Sequence, residues 1–226
     1  YNISKDFPSK LSIHANAHAL ARYSALVQEC NMVPIVEPEV LMDGEHSAKD
    51  CYEKTSEVIK KCFDELILHK VDLSGIILKP NMILPGNRSN DKISSEEVSQ
   101  KTLDLIKERK DRVNAIIIAG DLSYADCDQS RWESWFDFVQ HHHISNSIPI
   151  MVAPGNHDVE GRHMCGNNDI KEEFLAYRRR FYMPTAQFAE FRNTYYSFEI
   201  SQLAHFVILC PYCPYDLQSK QYKAFF

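Results

Sequence analysis

The chain has 226 residues, 44% of them hydrophobic and 25% charged, with a formal net charge of -6. That composition suits one α/β domain or two small ones, each with a core of its own. The acidic balance argues against nucleic acid as a partner, because phosphate backbones call for a basic surface, and no apolar run approaches the length of a membrane span.

Tyr1 is not an initiator methionine, so the chain is expected to be a fragment whose targeting segments cannot be read. Residues Asn16 to Glu29 place Leu20, Tyr23 and Val27 at helical spacing, with Asn31 as the stop. Val33 to Val40 reads as a strand, and its alternation puts Glu37 and Glu39 on one face. A second long helix is predicted over about Ser47 to His69, followed by a strand from Gly75 to Lys79. The segment from Pro85 to Lys92 reads as a polar surface connection. Ser94-Ser-Glu-Glu97 then opens a helix with the Ser-x-x-Glu pattern of a capping box.

Ala115 to Gly120 is a continuous run rich in β-branched residues that predicts a strand buried on both faces, stopping where Asp121 and Tyr124 begin. A second apolar run, Ile148 to Ala153, delivers Pro154-Gly-Asn-His-Asp158. Two strands thus end in residues able to bind metal, and chemistry in open α/β sheets sits at such carboxyl ends. The run His141-His-His143 follows an amphipathic helix and reads as a solvated terminus rather than as ligands.

The seven cysteines are odd in number and lack a framework spacing, which suits free thiols better than a disulfide scaffold. Cys210-Pro-Tyr-Cys213 looks like the redox pair of glutaredoxins. That reading needs a helix directly after the pair, whereas Pro214 follows at once.

Helices and strands alternating upstream predict a parallel sheet with crossover helices, either closed or open. Ala19-Leu-Ala-Arg-Tyr23, Val33-Pro-Ile-Val-Glu-Pro-Glu39 and Leu78-Lys-Pro-Asn-Met82 resemble the class I fructose-bisphosphate aldolases over residues 1–100. The resemblance implies that Lys79 forms the Schiff base with a ketose, that Glu37 and Glu39 handle protons around it, and that this half needs no cofactor. A lysine ending an apolar strand is expected to be desolvated, which lowers its pKa and frees the amine to attack a carbonyl. The resemblance supplies only the central part of an eight-stranded barrel, without the family's phosphate-holding serine and arginine.

Gly120-Asp-Leu-Ser-Tyr-Ala-Asp126 and Gly155-Asn-His-Asp158 resemble the calcineurin-like metallophosphoesterases, and Tyr124, three residues after Asp121, narrows the likeness to the purple acid phosphatases over residues 101–226. Arg131-Trp132, Phe174 to Pro184, Tyr195 to Phe198 and His205 to Leu209 support it. The resemblance implies a dinuclear metal centre of iron with iron, zinc or manganese. Asp121 would bridge the ions, Tyr124 would bind the ferric ion as a phenolate, Asn156 would bind the divalent ion, and His157 would touch the substrate phosphate. The family's earlier aspartate and its later histidine ligands have no counterpart in this chain.

The expected fold is α/β, an incomplete TIM-barrel-like segment joined to an incomplete metallophosphoesterase sandwich, with the join between about Val98 and Val113. The expected function is that of a fused or misjoined product, part aldolase and part phosphatase, acting on small phosphorylated substrates. A Schiff-base aldolase as the main identity, a phosphatase with an attached leader and an inactive α/β binding module are the alternatives. The compartment follows the dominant half, cytoplasmic for the aldolase and secreted or vacuolar for the phosphatase.

Overall fold

The computed structural model describes residues 1–107, 114–141, 148–161, 165, 173–184, 193–200 and 203–225. The chain is α/β and divides into two compact units, Tyr1–Val113 and Asn114–Phe226. No helix among the described residues is long and apolar enough to cross a membrane.

In the first unit, α1 (Lys10–Glu29) begins earlier than its apolar periodicity predicts, because the Ser9 hydroxyl caps it by accepting from the Ser12 N–H at 3.1 Å. Its buried face is Ile13, Ala17, Ala21 and Ser24, so Tyr23, expected on the apolar stripe, is left 46% exposed. Small side chains make the stripe, and they allow close approach to α2 (Ala48–Leu68). Both helices stop alike. Asn31 and Lys70 adopt left-handed φ of 56° and 57°, and the N–H groups of Met32 and Val71 return to the carbonyls of Val27 and Leu66.

Two short parallel strands lie beside these helices, β1 (Ile35–Val36) and β2 (Ile77–Leu78), with Val36 opposite Leu78. Both are shorter than the extended sequence around them. Pro34, Pro38 and Pro80 bring no N–H to a ladder, so pairing cannot run further along them. Helix α3 (Ser95–Lys107) opens on the predicted capping box: Glu97 N–H donates to the Ser94 hydroxyl, and Ser94 N–H donates to the Glu97 carboxylate, both at 3.2 Å. The core gathers Val36, Ile59, Phe63, Leu66, Ile83 and Leu105.

In the second unit, β3 (Ile116–Ala119) and β4 (Ile150–Ala153) pair in parallel over four residues, from Ile116 opposite Ile150 to Ala119 opposite Ala153. Helix α4 (Gln129–His141) lies between them in sequence. His142 and His143 of the histidine run lie outside the described residues. After α5 (Leu175–Arg180) come the antiparallel pair β5 (Tyr196–Ile200) and β6 (Ala204–Ile208), then α6 (Lys220–Phe225).

The expectation that β3 is buried on both faces is corrected: Ile116, Ile117 and Ile118 are half-buried and Ala119 is exposed. Among the described residues the sheet has only two strands, too few to cover both faces. On β4, the backbone of Val152 is satisfied by tyrosine hydroxyls instead of another strand. Its N–H donates to the Tyr196 hydroxyl at 3.1 Å, and its carbonyl accepts from the hydroxyls of Tyr196 and Tyr177. Trp132, Tyr177, Val152, Leu122 and Tyr195 form the core beneath.

The cysteine expectation is corrected in part. Cys127 bonds Cys165 and Cys210 bonds Cys213, whereas Cys30, Cys51 and Cys62 are free. Cys127 and Cys165 are 38 residues apart in sequence and 5.5 Å apart between Cα atoms, a proximity that spacing cannot reveal.

Candidate functional site

The first unit builds its site at the carboxyl ends of β1 and β2. Because Val36 lies opposite Leu78, the next residues, Glu37 and Lys79, leave their strands side by side, and Lys79 N–H donates to the Val36 carbonyl at 2.9 Å. The Lys79 ammonium donates to Glu37 Oε1. Burial alternates as predicted: Glu37 and Glu39 are exposed while Val36, Pro38 and Val40 are buried, so the two carboxylates share a face.

The electrostatic expectation for Lys79 is overturned. Its side chain is 62% exposed, and the Glu37 carboxylate beside it raises its pKa above the ordinary lysine value. Desolvation requires neighbouring strands over the amine, and this unit places two strands among its described residues. Asn81 organises the same region. Its Oδ1 accepts from Val40 N–H at 3.0 Å and its amide donates to the Thr55 hydroxyl at 3.2 Å, tying the turn after β2 to the segment after β1 and to α2. The motif Leu-Lys-Pro-Asn-Met contains Asn81, but only the contacts reveal its work.

The second unit builds its site at the ends of β3 and β4, where two glycine turns meet back to back. Gly120 takes a φ of 90°, and a Cβ there would fall 2.8 Å from Gly155 Cα; a Cβ on Gly155 would overlap the Asp121 N–H and Oδ1. Only glycine at both positions lets the strand ends come this close. Asp121, Tyr124, Asp126 and Cys127 all follow in left-handed φ between 46° and 75°, coiling the segment into one tight loop.

Asp158 clamps the two turns. Its wholly buried carboxylate accepts from Leu122 N–H at 3.2 Å on both oxygens and from Gly155 N–H at 2.9 Å. Burial pushes its pKa up, against the pull of those donors. Asp121 Oδ1 accepts from His157 N–H at 3.2 Å, and the Tyr124 ring lies 4.4 Å from the His157 ring. Asn156 opens a short 3₁₀ turn with its side chain exposed.

Asp121, Tyr124 and His157 are therefore drawn together, with Asn156 next in the chain. Two neighbours that motif reading leaves without a role complete the arrangement. Asp126 meets His157 Nδ1 at 2.6 Å and raises the histidine pKa, and Arg131 donates to the Tyr124 carbonyl at 2.6 Å while lying 3.5 Å from Asp126. Acidic and basic residues at the ends of a metal-type motif are the signal that could have found them.

The donor types suit hard metal ions, being a carboxylate, a phenol and an amide oxygen. Among the described residues their number falls short of a full dinuclear set. Among the described residues, the one group of three His, Cys, Asp or Glu ligand atoms within 4.8 Å lies in the first unit, so Asp121, Asp126 and His157 do not themselves form a ligating cluster.

Comparison with known proteins finds two families. The sequence model of class I fructose-bisphosphate aldolase matches residues 1–124, and that of calcineurin-like phosphoesterase matches residues 95–216. A probable class 1 fructose-bisphosphate aldolase of Xanthomonas campestris pv. campestris is 47% identical over 106 residues, which are 47% of this chain and 32% of that protein. The cytosolic fructose-bisphosphate aldolase 4 of Arabidopsis thaliana is 45% identical over 101 residues, 45% of this chain and 26% of its own length. Among solved structures, a fructose-bisphosphate aldolase from Plasmodium falciparum, in a ternary co-crystal with TRAP and a small-molecule inhibitor, superposes with a TM-score of 0.54 at 28% identity. That match covers 70% of this chain and 45% of the other. The chain spans a third or less of the length of these curated relatives.

Proposed function

We propose, for a chain that belongs over residues 1–124 to the class I fructose-bisphosphate aldolases and over residues 95–216 to the calcineurin-like phosphoesterases, a composite of two enzyme pieces. One is a Schiff-base aldolase piece centred on Lys79. The other is a purple acid phosphatase-like phosphate monoesterase piece centred on Asp121. Both take small phosphorylated substrates, and both sites are incomplete.

The observation that carries this reading is the same in each unit: two parallel strands in register end together, and the reactive side chains leave from those ends. In the first unit the Lys79 amine attacks a ketose carbonyl and water leaves. Attack requires the neutral amine, and Glu37, already hydrogen-bonded to it, is the base positioned to take its proton, with Glu39 on the same face for later proton transfers. In the second unit Asp121, Tyr124 and Asn156 would hold the metal ions and His157 would meet the phosphate. An iron ion with iron, zinc or manganese supplies charge neutralisation and an activated water when bound. Cysteine usage favours different origins for the pieces, a reducing cytoplasm for the first and a secreted or vacuolar setting for the bridged second.

Two measurements test the composite. Borohydride reduction with dihydroxyacetone phosphate is expected to trap an adduct on Lys79, slowly, and Lys79→Met is expected to lose it; an adduct spread evenly over other lysines would remove Lys79 from the role. Hydrolysis of p-nitrophenyl phosphate with added iron and zinc is expected to be weak and to vanish in Asp121→Asn. Equal activity in the two chains would refute the metal-holding role of Asp121.

A further inference from the structure

The first unit carries a cluster of side chains that the aldolase reading leaves unused, on the surface where α1 and α2 pack. Glu65 on α2 and His69, the residue that caps the C-terminus of that helix, are one turn apart, and α1 presents His14 and His18 with the same spacing. We infer that His18, Glu65 and His69 form a binding site for a borderline divalent transition-metal ion of the Zn²⁺ type.

The three residues offer ligand atoms that all lie within 4.8 Å of one another. Two imidazoles with one carboxylate are a donor set that zinc takes, with a further position left to solvent. His18 Nδ1 stands 3.3 Å from Glu65 Oε2. A tetrahedral zinc with ligands about 2.0–2.1 Å away separates neighbouring donors by about 3.3 Å, so this pair is already spaced as two ligands of one ion. The His69 ring lies edge-on to that of His18, with 4.7 Å between the ring centroids.

The surrounding contacts are of the kind that orient ligands. His69 Nδ1 lies 2.8 Å from the Glu65 carbonyl, so the ring donates there and keeps the lone pair on Nε2 for a metal. Glu65 Oε1 is held by Lys61 at 2.7 Å and by His14 at 3.2 Å, which leaves Oε2 for the ion. The Lys61 ammonium also holds the Glu65 carboxyl below the usual carboxylate range, keeping it ionised. A carboxylate only 4% exposed is an unusual placement, and a metal ligand gives it a purpose. His18, 45% exposed, leaves the approach open.

The test is Zn²⁺ titration of the whole chain by calorimetry, beside His18→Gln/His69→Gln. One equivalent of Zn²⁺ is expected to be lost in the double variant, and the single His69→Gln is expected to weaken that site by more than the about 10–100-fold that loss of an outer partner costs. Unchanged stoichiometry and affinity in the double variant would overturn the site. A second measurement uses the unaltered chain and does not depend on the variants folding: Zn²⁺ is expected to protect His18 and His69 from diethyl pyrocarbonate modification. Equal modification with and without Zn²⁺ would overturn it as well. Because the cluster lies apart in sequence from Asp121 to His157, loss of phosphate hydrolysis in Asp121→Asn leaves this result untouched.

Discussion

The two units solve one problem with different means. Among the described residues, each holds two parallel strands without a full sheet around them. The first unit does so with two helices of 20 and 21 residues, whose facing small and aliphatic side chains make most of its core. The second has shorter helices and leans on polar clamps: tyrosine hydroxyls on Val152, the Asp158 carboxylate between two glycine turns, and the Cys127–Cys165 bridge. The first unit's three cysteines are free and the second unit's four are bonded. A helix pair satisfies its own backbone and needs only apolar contact, whereas an exposed strand edge must find donors and acceptors elsewhere.

The largest test of that contrast is reduction. Closing a segment with 38 residues of separation stabilises by up to about 4 kcal/mol, so dithiothreitol is expected to destabilise the second unit by that order and to leave the first unchanged. The chain offers a clean readout, because both of its tryptophans, Trp132 and Trp135, lie in the second unit. Tryptophan fluorescence follows that unit alone, while far-ultraviolet circular dichroism is weighted to the long helices of the first. A single coincident transition in both signals, shifted equally by reductant, would break the comparison.

Asp158→Ala comes next. The substitution strands the buried N–H groups of Leu122 and Gly155, and lost hydrogen bonds to a charged acceptor are worth about 1.5–3 kcal/mol each. A loss of about 3 kcal/mol is expected in urea unfolding followed by tryptophan fluorescence, with the circular dichroism of the helix pair unaffected. A loss below about 0.5 kcal/mol, the scale of an ordinary surface change, would show that the glycine turns hold themselves.

How much of this was legible beforehand follows from the range of the interactions. Local features were readable: the shared face of Glu37 and Glu39 follows from period-two alternation, and the Ser94–Glu97 box from hydrogen bonds within one turn. The start of α1 escapes apolar periodicity because its buried stripe, Ile13, Ala17, Ala21 and Ser24, is made largely of small side chains. The state of Lys79 was misread because desolvation depends on how many other strands cover the amine, a property of the assembled sheet. The Cys127–Cys165 bridge, the Asp158 clamp and the Asp126–His157 pair join residues 31 to 38 positions apart, and no local pattern announces them.

A smaller effect separates the two sites by charge. Glu37→Gln removes the carboxylate that raises the Lys79 pKa, so a larger fraction of the amine is neutral at a given pH. Reductive methylation of Lys79 at pH 8 is expected to run severalfold faster in Glu37→Gln than in the parent chain, with other exposed lysines unchanged. Equal rates would show that the ion pair does not govern the amine.

The smallest effect concerns the matching pair in the second unit, where a titrating cation replaces a permanent one. Asp126 raises the His157 pKa above its unfolded value of about 6.5 by accepting a hydrogen bond from the ring. A folded pKa raised in this way contributes stability that is fully present below the unfolded value and is lost as pH rises through the folded one. In chain stripped of metal with chelator, the Asp126→Asn variant is therefore expected to be less stable than the parent on the acid side of pH 6.5, with the gap closing as pH rises toward 9. The Lys79–Glu37 pair shows no such slope over the same range, because lysine keeps its proton throughout. Nuclear magnetic resonance of the His157 ring protons supplies the independent check: the midpoint is expected to move to lower pH in Asp126→Asn. A midpoint that stays in place would mean that the short Asp126–His157 contact does not form in solution, and the second unit would then hold its histidine by the Tyr124 ring and the Asp121 carboxylate alone.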